Sequence, residues 1–150
     1  FTSCPGVSSF CGAASALNLE YTLPGISQTV ILTRMEGATK VPEQEQIEKL
    51  AAHQATMVLF LSTGMLSQLA ERLIAGGYPP DTPASLVYKA TWPDEKKIVA
   101  TLETLPELAQ KAGITKTALI IVGDVVGKSG YEKSRLYAAD FSTEYRKASK

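Results

Sequence analysis

The chain has 150 residues, the length of one compact domain. Apolar residues make up 45% and charged residues 20%, and 15 basic side chains balance 15 acidic ones, so the basic footprint of a dedicated nucleic-acid binder is excluded. No apolar run nears the length of a membrane span and no signal-peptide pattern is present, while two thiols, Cys4 and Cys11, with a single His53 form no metal-site spacing and fit a reducing cytoplasm.

The chain opens Phe1-Thr2-Ser3-Cys4-Pro5-Gly6, and its first Met is Met35. A free N-terminus rarely leads straight into a Pro-Gly turn, so the expectation is the C-terminal part of a longer protein. Ser8 or Ser9 can cap a helix to about Leu17. That helix is poor in bulk (Gly12, Ala13, Ala14, Ser15, Ala16), which lets another backbone or a ligand come close. Pro24-Gly25 breaks the chain, and Gln28 to Thr33 reads as a buried strand. Arg34 to Val41 reads as a polar loop around Gly37.

Pro42 suits the first turn of a helix, with Glu43 and Glu45 favourable near its positive end. Ile47, Leu50 and Ala51 share one face, and the helix fades near His53, a surface position rather than a catalytic one. Met57 to Leu61 is all apolar, as in strands buried on both faces. Ser62-Thr63 offers a cap for a helix with Leu66, Leu69, Ala70 and Leu73 inward and Gly76-Gly77 as its stop.

Leu86 to Tyr88 begins a hairpin whose loop, Trp92-Pro93-Asp94-Glu95, carries the only Trp of the chain. Pro93 fixes its own φ and restricts Trp92, so this loop is expected to be rigid. Lys97 to Leu102 returns as the second strand. Thr104 and Glu107 have capping-box spacing and open a helix with Leu105, Leu108 and Ala112 inward, closed by Gly113. Ala118 to Val122 is the last strong strand. The tail from Lys128 is polar, with Tyr131, Leu136, Tyr137, Phe141 and Tyr145 loosely spaced. Alternating strands and helices predict an α/β domain, its mixed, mostly parallel sheet flanked by helices on both faces.

Gly123-Asp124-Val125-Val126-Gly127-Lys128-Ser129 imitates a phosphate-binding loop. It has three residues between its glycines where the wrap around phosphates needs four, so it reads as a strand exit without a ligand. Nothing else in the sequence carries nucleophilic or acid–base chemistry.

Four stretches carry a family resemblance. Tyr88-Lys89-Ala90-Thr91-Trp92-Pro93-Asp94-Glu95-Lys96 resembles the corresponding loop of the precorrin-4 C11-methyltransferases, aerobic or cobalt-dependent. These are tetrapyrrole methylases, S-adenosylmethionine enzymes without the common Rossmann-type methyltransferase fold. Cys4-Pro5-Gly6-Val7-Ser8-Ser9-Phe10 is similar to the segment by which the family passes from its first domain into its second. Thr29 to Arg34, with Glu36-Gly37 and Val41-Pro42, resembles the C11 branch. Gly123 to Val126 resembles the end of the superfamily's last strand.

The resemblance implies that residues 1–150 are the C-terminal domain of a two-domain methyltransferase of cobalamin synthesis, active as a homodimer. It implies S-adenosylmethionine in the cleft between domains and a tetrapyrrole as methyl acceptor; the balanced charge and the lack of a long apolar run set the expectation of no nucleic-acid or membrane partner. Residue by residue, Ser8 and Ser9 match cofactor contacts after the Pro-Gly turn. Leu61 matches a position that related uroporphyrinogen methylases fill with Met. Ala90 matches a small residue that lets the backbone meet the adenosine, with Tyr88 and Thr91 beside it. Arg34, Lys40 and Lys89 are candidates for the tetrapyrrole carboxylates. The family's first-domain loops, Gly-x-Gly-Pro-Gly-Asp and Gly-Asp-Pro, are absent, so the isolated chain is expected to fold without turnover. A sister methylase with another target carbon is the same-class alternative. A non-catalytic α/β binding module is the alternative from another class.

Overall fold

Five strands form one sheet: β1 (Val30–Arg34), β2 (Thr56–Phe60), β3 (Pro83–Tyr88), β4 (Lys96–Thr101) and β5 (Ala118–Val122), in the order β1-β2-β5-β3-β4. The computed structural model describes residues 1–127 and 138–148. Lys128 and Ser129, which end the phosphate-loop-like run, lie outside the described residues with Tyr131, Leu136 and Tyr137.

Helix α1 (Ser9–Leu17) covers one face, and α2 (Ile47–Ala51), α3 (Leu66–Ala75) and α4 (Leu105–Lys111) cover the other. Side-chain alternation divides the strands between the two faces. In β2, Met57 and Leu59 join the α2–α4 cluster while Val58 faces α1; in β5, Ile120 and Val122 take the first side and Leu119 and Ile121 the second. From Met57 onward β2 is therefore apolar, as is all of β5, because both of their faces are buried. The inward face expected of α3 is the one observed: Leu66, Leu69, Ala70 and Leu73 are all buried. Each of its larger side chains contributes roughly 2 kcal/mol through burial.

The sheet is mixed, as the hairpin requires, but it is not mostly parallel. Only β1–β2 is a parallel pair; β2–β5, β5–β3 and β3–β4 are antiparallel. The strands β1, β2 and β3 do run the same way, as alternation with helices dictates. β5 then returns into the slot between β2 and β3 against them. An apolar run reports burial on two faces and carries no sign of direction, which is why the sequence pattern misses this insertion.

Other local expectations change for identifiable reasons. The helix after Pro42 is interrupted: a 3₁₀ turn over Glu43–Glu45 ends at Gln46, whose extended ψ of 145° separates it from α2. Met35, within the expected polar loop, is buried with 2% exposure. β1 is an edge strand with Leu32 exposed, not a fully buried one. The capping box at Thr104 does not form. Thr104 takes a helical backbone (φ −96°, ψ −21°) in place of the extended one of an N-cap, and its Oγ1 accepts from the Thr101 N–H at 3.1 Å instead of from Glu107. Glu107 pairs with Lys111, and Ala109 rather than Leu108 or Ala112 is buried beside Leu105.

Candidate functional site

Because β2 and β3 run together and β5 runs against them, the carboxyl ends of β2 and β3 flank the amino end of β5 at one edge of the sheet. Such strand-end edges, where several loops converge, are common places for ligands in α/β sheets. A cavity of about 380 Å³ opens there. Phe60 and Leu61 line it from β2, Val87, Lys89, Ala90 and Trp92 from the hairpin, and Thr115 to Leu119 from the approach to β5. Thr63 and Gly64 of the following turn and Ser9 of α1 complete the wall.

The backbone of this rim is unusual. Leu61 (φ 52°), Lys89 (φ 47°), Thr91 (φ 72°) and Thr117 (φ 59°) all occupy the left-handed region. Each costs about 1–2 kcal/mol for a residue with a Cβ, and the two threonines are β-branched. Strain of this kind persists only where surrounding contacts hold it. Those contacts are present. The Lys89 N–H donates to the Thr117 carbonyl at 3.0 Å, and the Trp92 N–H donates to the Lys89 carbonyl at 3.0 Å. Thr63 Oγ1 donates to the Ala118 carbonyl at 3.1 Å, and Ser62 Oγ donates to the Phe60 carbonyl at 2.7 Å.

The hairpin loop is stiffened further by its charges. Lys89 Nζ lies 2.6 Å from Asp94 Oδ2 and sits over the rings of Tyr88 (5.1 Å) and Trp92 (5.4 Å). Its hydrogen bond to Asp94 holds the ammonium above the usual lysine range and holds the Asp94 carboxyl below its own. The low bulk of α1 also has its explanation here. A Cβ on Gly12 would lie 3.2 Å from the Thr91 methyl and 3.6 Å from Ala90 Cβ, so glycine lets the helix lie against the loop.

Two peptide groups at the rim stand out. Among the described residues, neither the amide nor the carbonyl of Leu61 has a hydrogen-bond partner, and the same holds for Ala90. Both residues line the cavity, so two donors and two acceptors are available to a ligand.

The residues singled out from sequence divide as follows. Ser9, Leu61, Ala90 and Lys89 share the cavity. Ser8 stands next to it as the N-cap of α1, and Thr91 is the contact between loop and helix. The Tyr88 ring packs with the α2–α4 cluster and beneath the Lys89 ammonium, and Tyr88 does not line the cavity. Arg34 lines a neighbouring depression that shares Phe60, and its guanidinium donates to the carbonyls of Met35, Thr39 and Lys40. Lys40 is exposed and lines neither hollow. Phe60, Thr63, Thr115, Lys116 and Thr117 escaped the sequence reading. A polar Thr-Lys-Thr run between a Gly stop and a buried strand is the only trace of the last three.

Tetrapyrrole (Corrin/Porphyrin) Methylases is the family that matches, over residues 1–106. The chain belongs to the tetrapyrrole methylases. It is 49% identical over 146 residues to the cobalt-precorrin-4 C(11)-methyltransferase of Methanocaldococcus jannaschii, a match covering 97% of this chain and 56% of that protein. The X-ray structure of a cobalt-precorrin-4 methyltransferase superposes with a TM-score of 0.80 at 44% identity, covering 83% of this chain and 52% of that one. The uroporphyrin-III C-methyltransferase of Thermus thermophilus, complexed with S-adenosylhomocysteine, superposes with a TM-score of 0.66 at 26% identity, covering 82% and 52%. This methylase chain thus spans about half the length of the relatives it matches.

Proposed function

We propose that this chain is the C-terminal domain of an S-adenosylmethionine-dependent methyltransferase acting on C11 of precorrin-4 or cobalt-precorrin-4. In that reading the cavity is one wall of a cleft completed by an N-terminal domain. The observation that carries it is the convergence of Ser9, Leu61 and Ala90, from three separate elements, on one hollow.

The residues present fit the donor. A hollow of 380 Å³ is within the range of small-molecule sites. Phe60, Val87, Ala90 and Leu119 give it apolar walls suited to a flat base. The unpaired amides and carbonyls of Leu61 and Ala90 offer the alternating donors and acceptors that the edge of an adenine reads. The small side chain of Ala90 leaves room for close approach to the backbone, and Ser8 and Ser9 would border the rest of the molecule. When bound, S-adenosylmethionine supplies an electrophilic methyl on a good leaving group. The protein therefore needs no nucleophile or acid–base pair of its own and acts by alignment. Lys116, which lines the cavity, is placed to meet substrate carboxylates, whereas Lys89 is engaged by Asp94, Arg34 is held by its own loop and Lys40 lies apart. A cytoplasmic homodimer is the assembly this reading adopts.

Identity favours the C11 branch over a sister methylase: 44% to the cobalt-precorrin-4 structure against 26% and 34% to structures of the uroporphyrin-III enzyme. The test is incubation of the full-length protein with S-adenosylmethionine and precorrin-4 or its cobalt form, followed by mass spectrometry. A mass gain of one methyl is expected, with NMR of the product placing it on C11, and no gain with the 150-residue chain alone. No gain with the full-length protein would overturn the reading, and turnover by the chain alone would overturn the divided cleft.

A further inference from the structure

We infer that Glu95 is a positioning residue for the cofactor cavity, a role that rests on the reading just given. Glu95 does not line the hollow. Its carboxylate accepts the Thr91 N–H at 2.7 Å, and its own N–H donates to the Trp92 carbonyl at 3.0 Å, so it is tied into the loop from both ends. A hydrogen bond to an ionised acceptor is about twice as strong as a neutral one. Here it offsets the cost of holding Thr91, a β-branched residue, at φ 72°.

Two consequences follow for the cavity. Ala90 is fixed between Lys89 and Thr91, both left-handed, so its unpaired amide and carbonyl have one orientation available. The Thr91 methyl is also the point where the loop meets α1 at Gly12, and α1 begins at Ser9 on the opposite side of the hollow. Glu95 therefore sets both the aim of the Ala90 peptide groups and the spacing between the Ala90 and Ser9 walls. The neighbouring Lys89–Asp94 pair, at 2.6 Å, closes the same loop on its outer side, which leaves the Thr91 amide as the point controlled by Glu95 alone.

The experiment compares full-length wild type, E95Q and E95A. Calorimetric titration with S-adenosylhomocysteine should show about tenfold weaker binding in E95A. E95Q, which keeps an acceptor oxygen, should remain within about threefold of wild type. Hydrogen exchange of the Thr91 amide, measured without ligand, should be slow in wild type and at least about tenfold faster in E95A. Steady-state kinetics should show a raised KM for the donor with a smaller change in kcat. Equal affinity in wild type and E95A would overturn the role of Glu95. So would equal losses in E95Q and E95A accompanied by lowered melting temperatures, which is the signature of a merely structural residue. A wild type that binds no S-adenosylhomocysteine would overturn the cofactor reading itself, a distinct result.

Discussion

Two sets of turns at opposite ends of the sheet handle the same steric problem in opposite ways. At the end where β5 leaves the sheet, the chain turns through Gly123 at φ 135°, a conformation only glycine adopts cheaply. A Cβ there would lie 3.3 Å from Thr56 Cα, and the Gly123 N–H donates to the Pro83 carbonyl at 3.0 Å. Each element of that turn is explained by packing, and it is where the phosphate-loop-like sequence sits. At the other end Leu61, Lys89, Thr91 and Thr117 take left-handed conformations without glycine, around a hollow with unpaired peptide groups. A strained turn that glycine relieves is architecture; one built from Leu and Thr around open space calls for a functional account.

The contrast can be broken most forcefully at the closed end. Gly123→Ala should destabilise the fold by about 3 kcal/mol in urea unfolding, while the folded fraction of the full-length protein binds S-adenosylhomocysteine as before. Loss of binding without loss of stability would reverse the assignment of the two ends. At the open end, Ala90→Leu should do the opposite. Calorimetry on the full-length protein should show binding weakened by about 2 kcal/mol, on the order of thirtyfold, with the melting temperature nearly unchanged. A smaller effect of opposite sign is expected at Thr117. Thr117→Gly relieves a φ of 59° and should stabilise the chain by up to about 1 kcal/mol. A destabilising result would mean that the rim is not strained.

The smallest effect is silent at neutral pH. Tyr21 ties the closed end to α1: Thr56 Oγ1 donates to its carbonyl at 2.8 Å, and its hydroxyl donates to the Phe10 carbonyl at 2.6 Å. Burial, with a lesser contribution from Cys11, pushes the Tyr21 hydroxyl up to about 12 from an ordinary value of 10.0. A raised folded-state value means that its contribution to stability is complete below pH 10 and is lost as the pH rises toward 12. Ultraviolet titration should show one tyrosine fewer ionising late in Tyr21→Phe, with a shallower alkaline loss of stability.

Much of the closed architecture could be read from residue pattern. Ala118–Val122 is the strand expected, and α3 buries the face that its spacing predicts. Packing explains this, since periodicity records which side chains meet the core. Direction and strain leave no such record. The insertion of β5 between β2 and β3 is invisible in an all-apolar run, and the left-handed Leu61 and Thr117 are residue types that turn propensities assign elsewhere. The cavity residues Leu61 and Ala90 were reachable only through family resemblance. Thr115 to Thr117 were not reached, because a short polar loop has the same composition whether or not it lines a site. The failed capping box at Thr104 has a local cause instead, a hydroxyl already engaged by Thr101.

The central claim is that the sulfonium donor lies between the ends of β2 and β3. A crystal structure of the full-length protein with S-adenosylhomocysteine tests it most directly. The adenine is expected within hydrogen-bond distance of the Leu61 and Ala90 backbone groups, beside Ser9. A ligand bound at the Gly123 end, or held wholly by the other domain without touching either peptide group, would contradict it.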